Sequence, residues 1–289
     1  MLTAIRRRLM GALLVATATL LFSASLYASE IVRFNSAPIP PTPLKMRLAQ
    51  ARGEAATAEA GIDIIGELSQ PDGKGPFPAL VMLHGCGRPI PALDRIRVER
   101  YVSWGYAVLT FDSFKPRGIR QACSPGGGPA ADRLMDAFGA LDYLARLPSI
   151  DAGRIAVVGF SQGGGMALSA VNANEIGTLG LRQFKAAVAY YPTWCPSANE
   201  TVTAPVLILV GELDDWTPAK DCRASMATRS GQEAREKLIV LPDAYHGFDG
   251  ITLKDKPLRY FGHLLAYNAS ADHEAEVQMK AFLSEVLGQ

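Results

Sequence analysis

The stretch RIAVVGFSQGGGMALSAV, residues 154–171, decides how the rest of the chain is read. Residues 154–158 have the apolar, β-branched character of a short buried strand, and a small-residue run from Gln162 reads as a helix. Between them lies Gly159-Phe160-Ser161-Gln162-Gly163, a G-x-S-x-G sequence. Strand, sharp turn and helix in that order make a nucleophile elbow. The serine sits in a strained backbone conformation, and the flanking glycines let the helix pack on the strand.

A serine hydroxyl is a weak nucleophile until a base takes its proton, and the base needs a third group to orient it. With an elbow of this kind the chain order is serine, then acid, then histidine. After Ser161 only His246, His263 and His273 remain. His246, in Pro242-Asp243-Ala244-Tyr245-His246-Gly247-Phe248, follows a predicted strand at 236–241. Sheet enzymes place their chemistry at such strand ends. His263 and His273 fall in or beside the C-terminal helical region, so His246 is the expected base. For the acid, Val210-Gly211-Glu212-Leu213-Asp214-Asp215-Trp216-Thr217-Pro218 offers Glu212, Asp214 and Asp215, and spacing alone does not separate the two aspartates. A tetrahedral oxyanion needs preorganised donors. The backbone N–H of Gln162 and that of Cys86, just after His84-Gly85, are the candidates. His84 itself reads as a packing or hydrogen-bonding residue beneath that loop.

Outward from the elbow, strands are predicted at 62–68, 77–84, 106–111, 184–190, 205–210 and 236–241. Helices are predicted at 95–104, 130–147 and 274–286, and Leu134, Phe138, Leu141 and Leu144 form one buried face of the second. Alternating strands and helices predict an α/β fold, a mostly parallel central sheet with helices on both faces. Residues 112–129 read as a long loop rich in glycine and proline. The charge is nearly balanced at +1, so no basic excess points to nucleic acid, and no residue cluster suggests a metal or an organic cofactor.

The N-terminus reads as a targeting segment. Arg6-Arg7-Arg8 precede an apolar run at 9–26 and the small residues Ala28-Ser29, the pattern of an export signal cleaved after Ala28. Residues 1–28 are therefore expected to be a signal peptide and the protein periplasmic or secreted, with no stable membrane insertion after cleavage; the alternative is an uncleaved anchor, since the run is close to the length of a membrane span. Residues 29–60, with Pro38, Pro40, Pro41 and Pro43, read as an irregular arm with one edge strand near 31–35; the domain proper is expected at 61–289. Four cysteines agree with export: Cys86, Cys123, Cys195 and Cys222 contain no C-x-x-C pair. Their positions at neighbouring strand ends predict Cys86–Cys123 and Cys195–Cys222 bridges.

From about residue 62 to its end the chain resembles the dienelactone hydrolase-like branch of the α/β-hydrolases. The resemblance rests on His84-Gly85, the loop Asp112-Ser113-Phe114-Lys115-Pro116-Arg117-Gly118, the elbow, the Gly211, Asp214 and Pro218 segment, and Tyr245-His246-Gly247-Phe248. It implies the α/β-hydrolase fold, Asp214 as the acid and His246 as the base. The members that open dienelactones carry a cysteine nucleophile where this chain has Ser161. The activity implied is acyl transfer from a small carboxylic ester or lactone. The resemblance also points to Arg117 as a holder of substrate carboxylate, against a structural salt bridge for the same side chain. Trp194 and Trp216 are candidates to line an apolar pocket, and Tyr191 fits either role. No extended apolar lid is visible, which favours a small substrate over a long lipid. Two other readings share the fold: a prolyl-oligopeptidase-type serine peptidase, which usually carries a second domain, and a non-catalytic binding protein. The sequence leaves the oligomeric state open.

Overall fold

The computed structural model describes residues 27–123, 130–177, 179–229 and 235–288. The chain opens with β1 (Tyr27–Asn35), α1 (Pro43–Ala51), β2 (Asp63–Pro71), β3 (Phe77–Leu83), α2 (Pro91–Ser103) and β4 (Ala107–Phe111). Then come α3 (Ala130–Leu144), β5 (Ile150–Phe160), α4 (Gln162–Ser169), α5 (Ala173–Ile176) and β6 (Ala187–Tyr190). The order closes with β7 (Val206–Gly211), α6 (Ala219–Ala227), β8 (Glu236–Leu241), a hairpin of β9 (Leu258–Tyr260) and β10 (His263–Leu265), and α7 (Ala269–Leu287).

Among the described residues, eight strands form one sheet in the order β1-β2-β4-β3-β5-β6-β7-β8. From β4 to β8 every neighbouring pair is parallel, while β1 and β2 run antiparallel at one edge. Parallel strands covered on both faces carry continuous apolar runs, and the two-residue period splits each run between two cores. Ala79, Val81 and Leu83 of β3 face Leu134, Phe138, Leu141 and Leu144 of α3. Leu80 and Met82 point the other way, toward Val98 and Tyr101 of α2 and Met279 of α7. This is the α/β-hydrolase architecture expected from the alternation of elements.

Three local expectations change. The edge strand expected near 31–35 is present but longer, since β1 pairs with β2 over its full length, from Tyr27 opposite Pro71 to Asn35 opposite Asp63, and the arm at 29–60 also holds the helix α1. Val32 and Phe34 are the buried residues of β1, and Phe34 meets Phe111 edge to face. Pro43 then opens α1, whose N-cap Thr42 accepts a hydrogen bond from the Lys45 N–H. The second change is at α7, which begins earlier than the apolar spacing suggests because Asn268 caps it, accepting from the N–H groups of Ser270 and Ala271. In the third, the loop at 112–129 contains a 3₁₀ turn at Lys115–Arg117; residues 124–129 lie outside the described part. Most of the expected signal, residues 1–26, also lies outside it, whereas Tyr27 and Ala28 belong to β1. Among the described residues no helix is long and apolar enough to cross a membrane. Both expected disulfides are present, Cys86–Cys123 and Cys195–Cys222, with Cα separations of 4.8 and 5.1 Å.

Candidate active site

Ser161 is held where β5 meets α4, at φ 55° and ψ −117°. A side chain at positive φ is strained, and such strain persists only where the surroundings enforce it. Here the Ser161 N–H donates to the Tyr190 carbonyl at 2.9 Å, and its own carbonyl accepts from Gly165 at 3.0 Å. The motif glycines are required by contact: a Cβ on Gly159 would overlap the Gly163 carbonyl, and one on Gly163 the Leu83 carbonyl.

The loops after β7 and β8 bring two further side chains to the serine. His246 Nε2 lies 3.1 Å from Ser161 Oγ, and His246 Nδ1 lies 2.8 Å from Asp214 Oδ2. A carboxylate only accepts, so the imidazole carries its proton on Nδ1 and leaves Nε2 free to accept from the serine hydroxyl. Asp214 also accepts from the N–H groups of Trp216 and Thr217, at 2.9 and 2.8 Å, and from Thr217 Oγ1 at 2.8 Å. Burial pushes the Asp214 carboxyl up, but the hydrogen bonds from His246 and Thr217 more than offset this and hold it below its usual range. Ser161, Asp214 and His246 are all buried.

The other candidates are placed elsewhere. Glu212 stands 3.8 Å from Arg223 on the surface, and Asp215 Oδ1 is 3.3 Å from Nδ1 of His263 in the hairpin. His273 lies exposed on α7. Gln162 follows Ser161 as the first residue of α4, and Cys86 lines the same cavity as Ser161. The Cys86 carbonyl accepts from the Ala122 N–H at 2.8 Å, next to the bridge to Cys123. His84 donates from Nδ1 to the Gly85 carbonyl at 2.7 Å and accepts at Nε2 from the Ser113 N–H at 3.2 Å. Burial, and then the nearby Arg133 cation, push it down to about 3, so it is a neutral brace under the loop.

Ser161 and His246 open into a cavity of about 300 Å³. Trp216 forms part of its wall, with its ring 5.0 Å from that of His246. Leu253, Leu258 and Leu265 line it from the segment after His246, where a 3₁₀ turn and the β9–β10 hairpin make a short cap that lacks an extended apolar signature in sequence. Arg117 does not reach the cavity. It forks onto Asp136 at 2.8 and 2.9 Å and donates to the Ser113 carbonyl, a structural salt bridge that ties its loop to α3. Trp194 is turned away too; it packs over α4, where Gly165 leaves room for its ring.

Sequence reading missed a buried network in the cavity wall, where Arg97 and Tyr191 are lining residues. Arg97 on α2 donates through Nε and Nη2 to Asp249 Oδ2 at 2.9 and 2.6 Å, and Tyr191 Oη donates to Asp249 Oδ1 at 2.6 Å. The Tyr191 ring stands 4.6 Å from His246. Arg97 and Asp249 are 152 residues apart, so no local pattern announces their pairing.

Residues 64–287 match the sequence profile of the dienelactone hydrolase family. A curated relative, the quorum-quenching protein AidA of Acinetobacter baumannii (strain MDR-ZJ06), is 28% identical over 172 residues, 59% of this chain and 55% of that protein. The chain thus spans about half the length of that relative. Among solved structures, a dienelactone hydrolase-like promiscuous phosphotriesterase from metagenomic libraries superposes with TM-score 0.65 at 22% identity, covering 90% of this chain and all of that one. A thermophilic esterase of the planctomycete Thermogutta terrifontis gives 0.57 at 17% identity, over 78% of this chain and 88% of its own. With the profile matched across nearly the whole sheet, the chain belongs to the dienelactone hydrolase family of α/β-hydrolases.

Proposed function

We propose that the protein is a serine hydrolase that cleaves a small carboxylic ester or lactone through an acyl-enzyme on Ser161. One observation carries the reading: the continuous hydrogen-bond chain Ser161–His246–Asp214 at the base of an apolar cavity. His246 takes the hydroxyl proton as Ser161 Oγ attacks the carbonyl carbon. Asp214 holds the imidazole in the Nδ1–H tautomer and stabilises the imidazolium that forms. The oxyanion is received by the N–H groups of Cys86 and Gln162. The imidazolium then protonates the leaving alkoxide, and a water activated by the same base releases the acid. In a lactone the alkoxide and the acid are two ends of one product.

The two bridges, together with the basic and apolar N-terminal segment, support an exported protein, because disulfides persist in oxidising compartments. The test uses the oxidised chain from Ser29 onward. It should turn over short p-nitrophenyl esters and take a fluorophosphonate label on Ser161, and Ser161→Ala should lose both, with kcat down by at least about 10³-fold. A folded protein without turnover or label would move the assignment to a binding protein. Cleavage of short peptides in preference to esters would move it to a peptidase.

A further inference from the structure

Behind the proposed oxyanion site lies a buried cation that the hydrolytic cycle does not use. Arg133, in the first turn of α3, is 2% exposed. Among the described residues it makes no ion pair within salt-bridge distance. Asp136, one turn further on, is occupied by the fork from Arg117. Arg133 instead donates through Nη2 to the His84 carbonyl at 2.5 Å and through Nη1 to Gln162 Oε1. Its Nε has no hydrogen-bond partner among the described residues, and the guanidinium lies 4.8 Å from the Phe114 ring centroid. Other charges act at longer range: Asp136 and Asp112 favour its charged form, Arg117 opposes it, and burial outweighs them, lowering it to about 10. The group therefore remains a cation at neutral pH.

Burying a charge without a hydrogen-bonded counter-ion is expensive, and a neutral donor would serve if bracing were the whole task. The two acceptors show what the charge is near. His84 is two residues before Cys86, and Gln162 carries the second proposed donor on its own backbone. We infer that Arg133 is a positioning residue for the oxyanion hole: its fork fixes the two segments that carry the Cys86 and Gln162 donors, and its charge, aligned behind them, favours the tetrahedral oxyanion over the neutral ester. This rests on the serine-hydrolase reading above. It uses a general property of such sites, that preorganised charge acts strongly where water is excluded.

The experiment compares the parent with Arg133→Met, Arg133→Lys and Gln162→Glu. For each, kcat and KM on p-nitrophenyl acetate are read beside Tm and the Ki of a trifluoromethyl ketone that forms a tetrahedral adduct with the serine. Arg133→Met should lose about 10²-fold in kcat with KM within about threefold, and its ketone Ki should weaken in step with kcat/KM. Arg133→Lys keeps the charge without the fork and should recover part of that loss. Gln162→Glu gives the cation a carboxylate partner. It should hold or raise Tm while lowering kcat about tenfold, a combination that bracing alone does not produce. Should Arg133→Met fail to fold, the lysine and glutamate variants decide the matter by the same readouts. An active parent whose folded variants keep kcat within threefold, or lose it without weakening the ketone, overturns the inference and leaves the serine-hydrolase reading standing. A parent with neither turnover nor label removes that reading and this inference together.

Discussion

Asp214 is buried and accepts four hydrogen bonds, one of them from His246, whereas Asp215, the next residue, has a side chain 54% exposed and faces His263 on the cap. A neutral amide at 214 cannot hold the imidazole in the same tautomer, because its NH₂ group donates where the carboxylate accepted. Asp214→Asn should therefore lower kcat by about 10³- to 10⁴-fold, while Asp215→Asn should stay within about threefold in the same ester assay. Equal losses would reverse the roles assigned to the pair. In sequence the two aspartates are indistinguishable, since what separates them is the turn that folds the Trp216 and Thr217 N–H groups back onto the first. Ser161 and His246 were legible because each is tied to a strand end by local pattern. For Arg117 the sequence left two roles open, and only the tertiary contact with a carboxylate on α3 separates them; Arg133 carried no signal, because its partner is a carbonyl 49 residues away.

The central strands were legible because a strand buried on both faces writes a continuous apolar run, as β7 does in Val206–Gly211. Edge elements write less. β1 buries only Val32 and Phe34 and leaves Ile31 72% exposed, which blurs its alternation, and α1 buries Ala49 alone. At this scale the two bridges are expected to do different work. Cys195–Cys222 joins the loop after β6 to α6, away from the cavity, while Cys86–Cys123 fastens the segment that presents a proposed oxyanion donor. Each should stabilise the fold by about 2–4 kcal/mol. Changing both Cys86 and Cys123 to serine should in addition lower kcat about tenfold at a temperature where the variant is fully folded. Changing Cys195 and Cys222 should lower Tm with kcat nearly intact. Matching kcat values for the two double variants would show that the loop keeps its geometry without its bridge.

Across the whole molecule the proposed catalytic groups lie in four separate loops after the C-terminal ends of β3, β5, β7 and β8, the end of a parallel sheet where α/β order leads one to look for them. The cap was invisible beforehand because its strands, Leu258–Tyr260 and His263–Leu265, are only three residues long and sit between a functional loop and a helix. Its return strand is attached to the base itself: Leu265 forms a parallel bridge with His246, and the Ala266 N–H donates to the His246 carbonyl at 3.3 Å. A substrate long enough to lift the hairpin must therefore tug on the imidazole. In a series of p-nitrophenyl esters from acetate to decanoate, each CH₂ that fits should lower KM by about fourfold, from about 0.8 kcal/mol of burial. Past the length that fills the cavity, kcat should fall while KM stays low, and Leu253→Ala should move the break to a longer chain. A rising KM at constant kcat would show instead that cap and base move independently. With cap and base linked, the proposed hydrolase measures its substrate as a caliper does, by the displacement of a jaw, and long esters are expected to occupy the site as competitive inhibitors of the short ones.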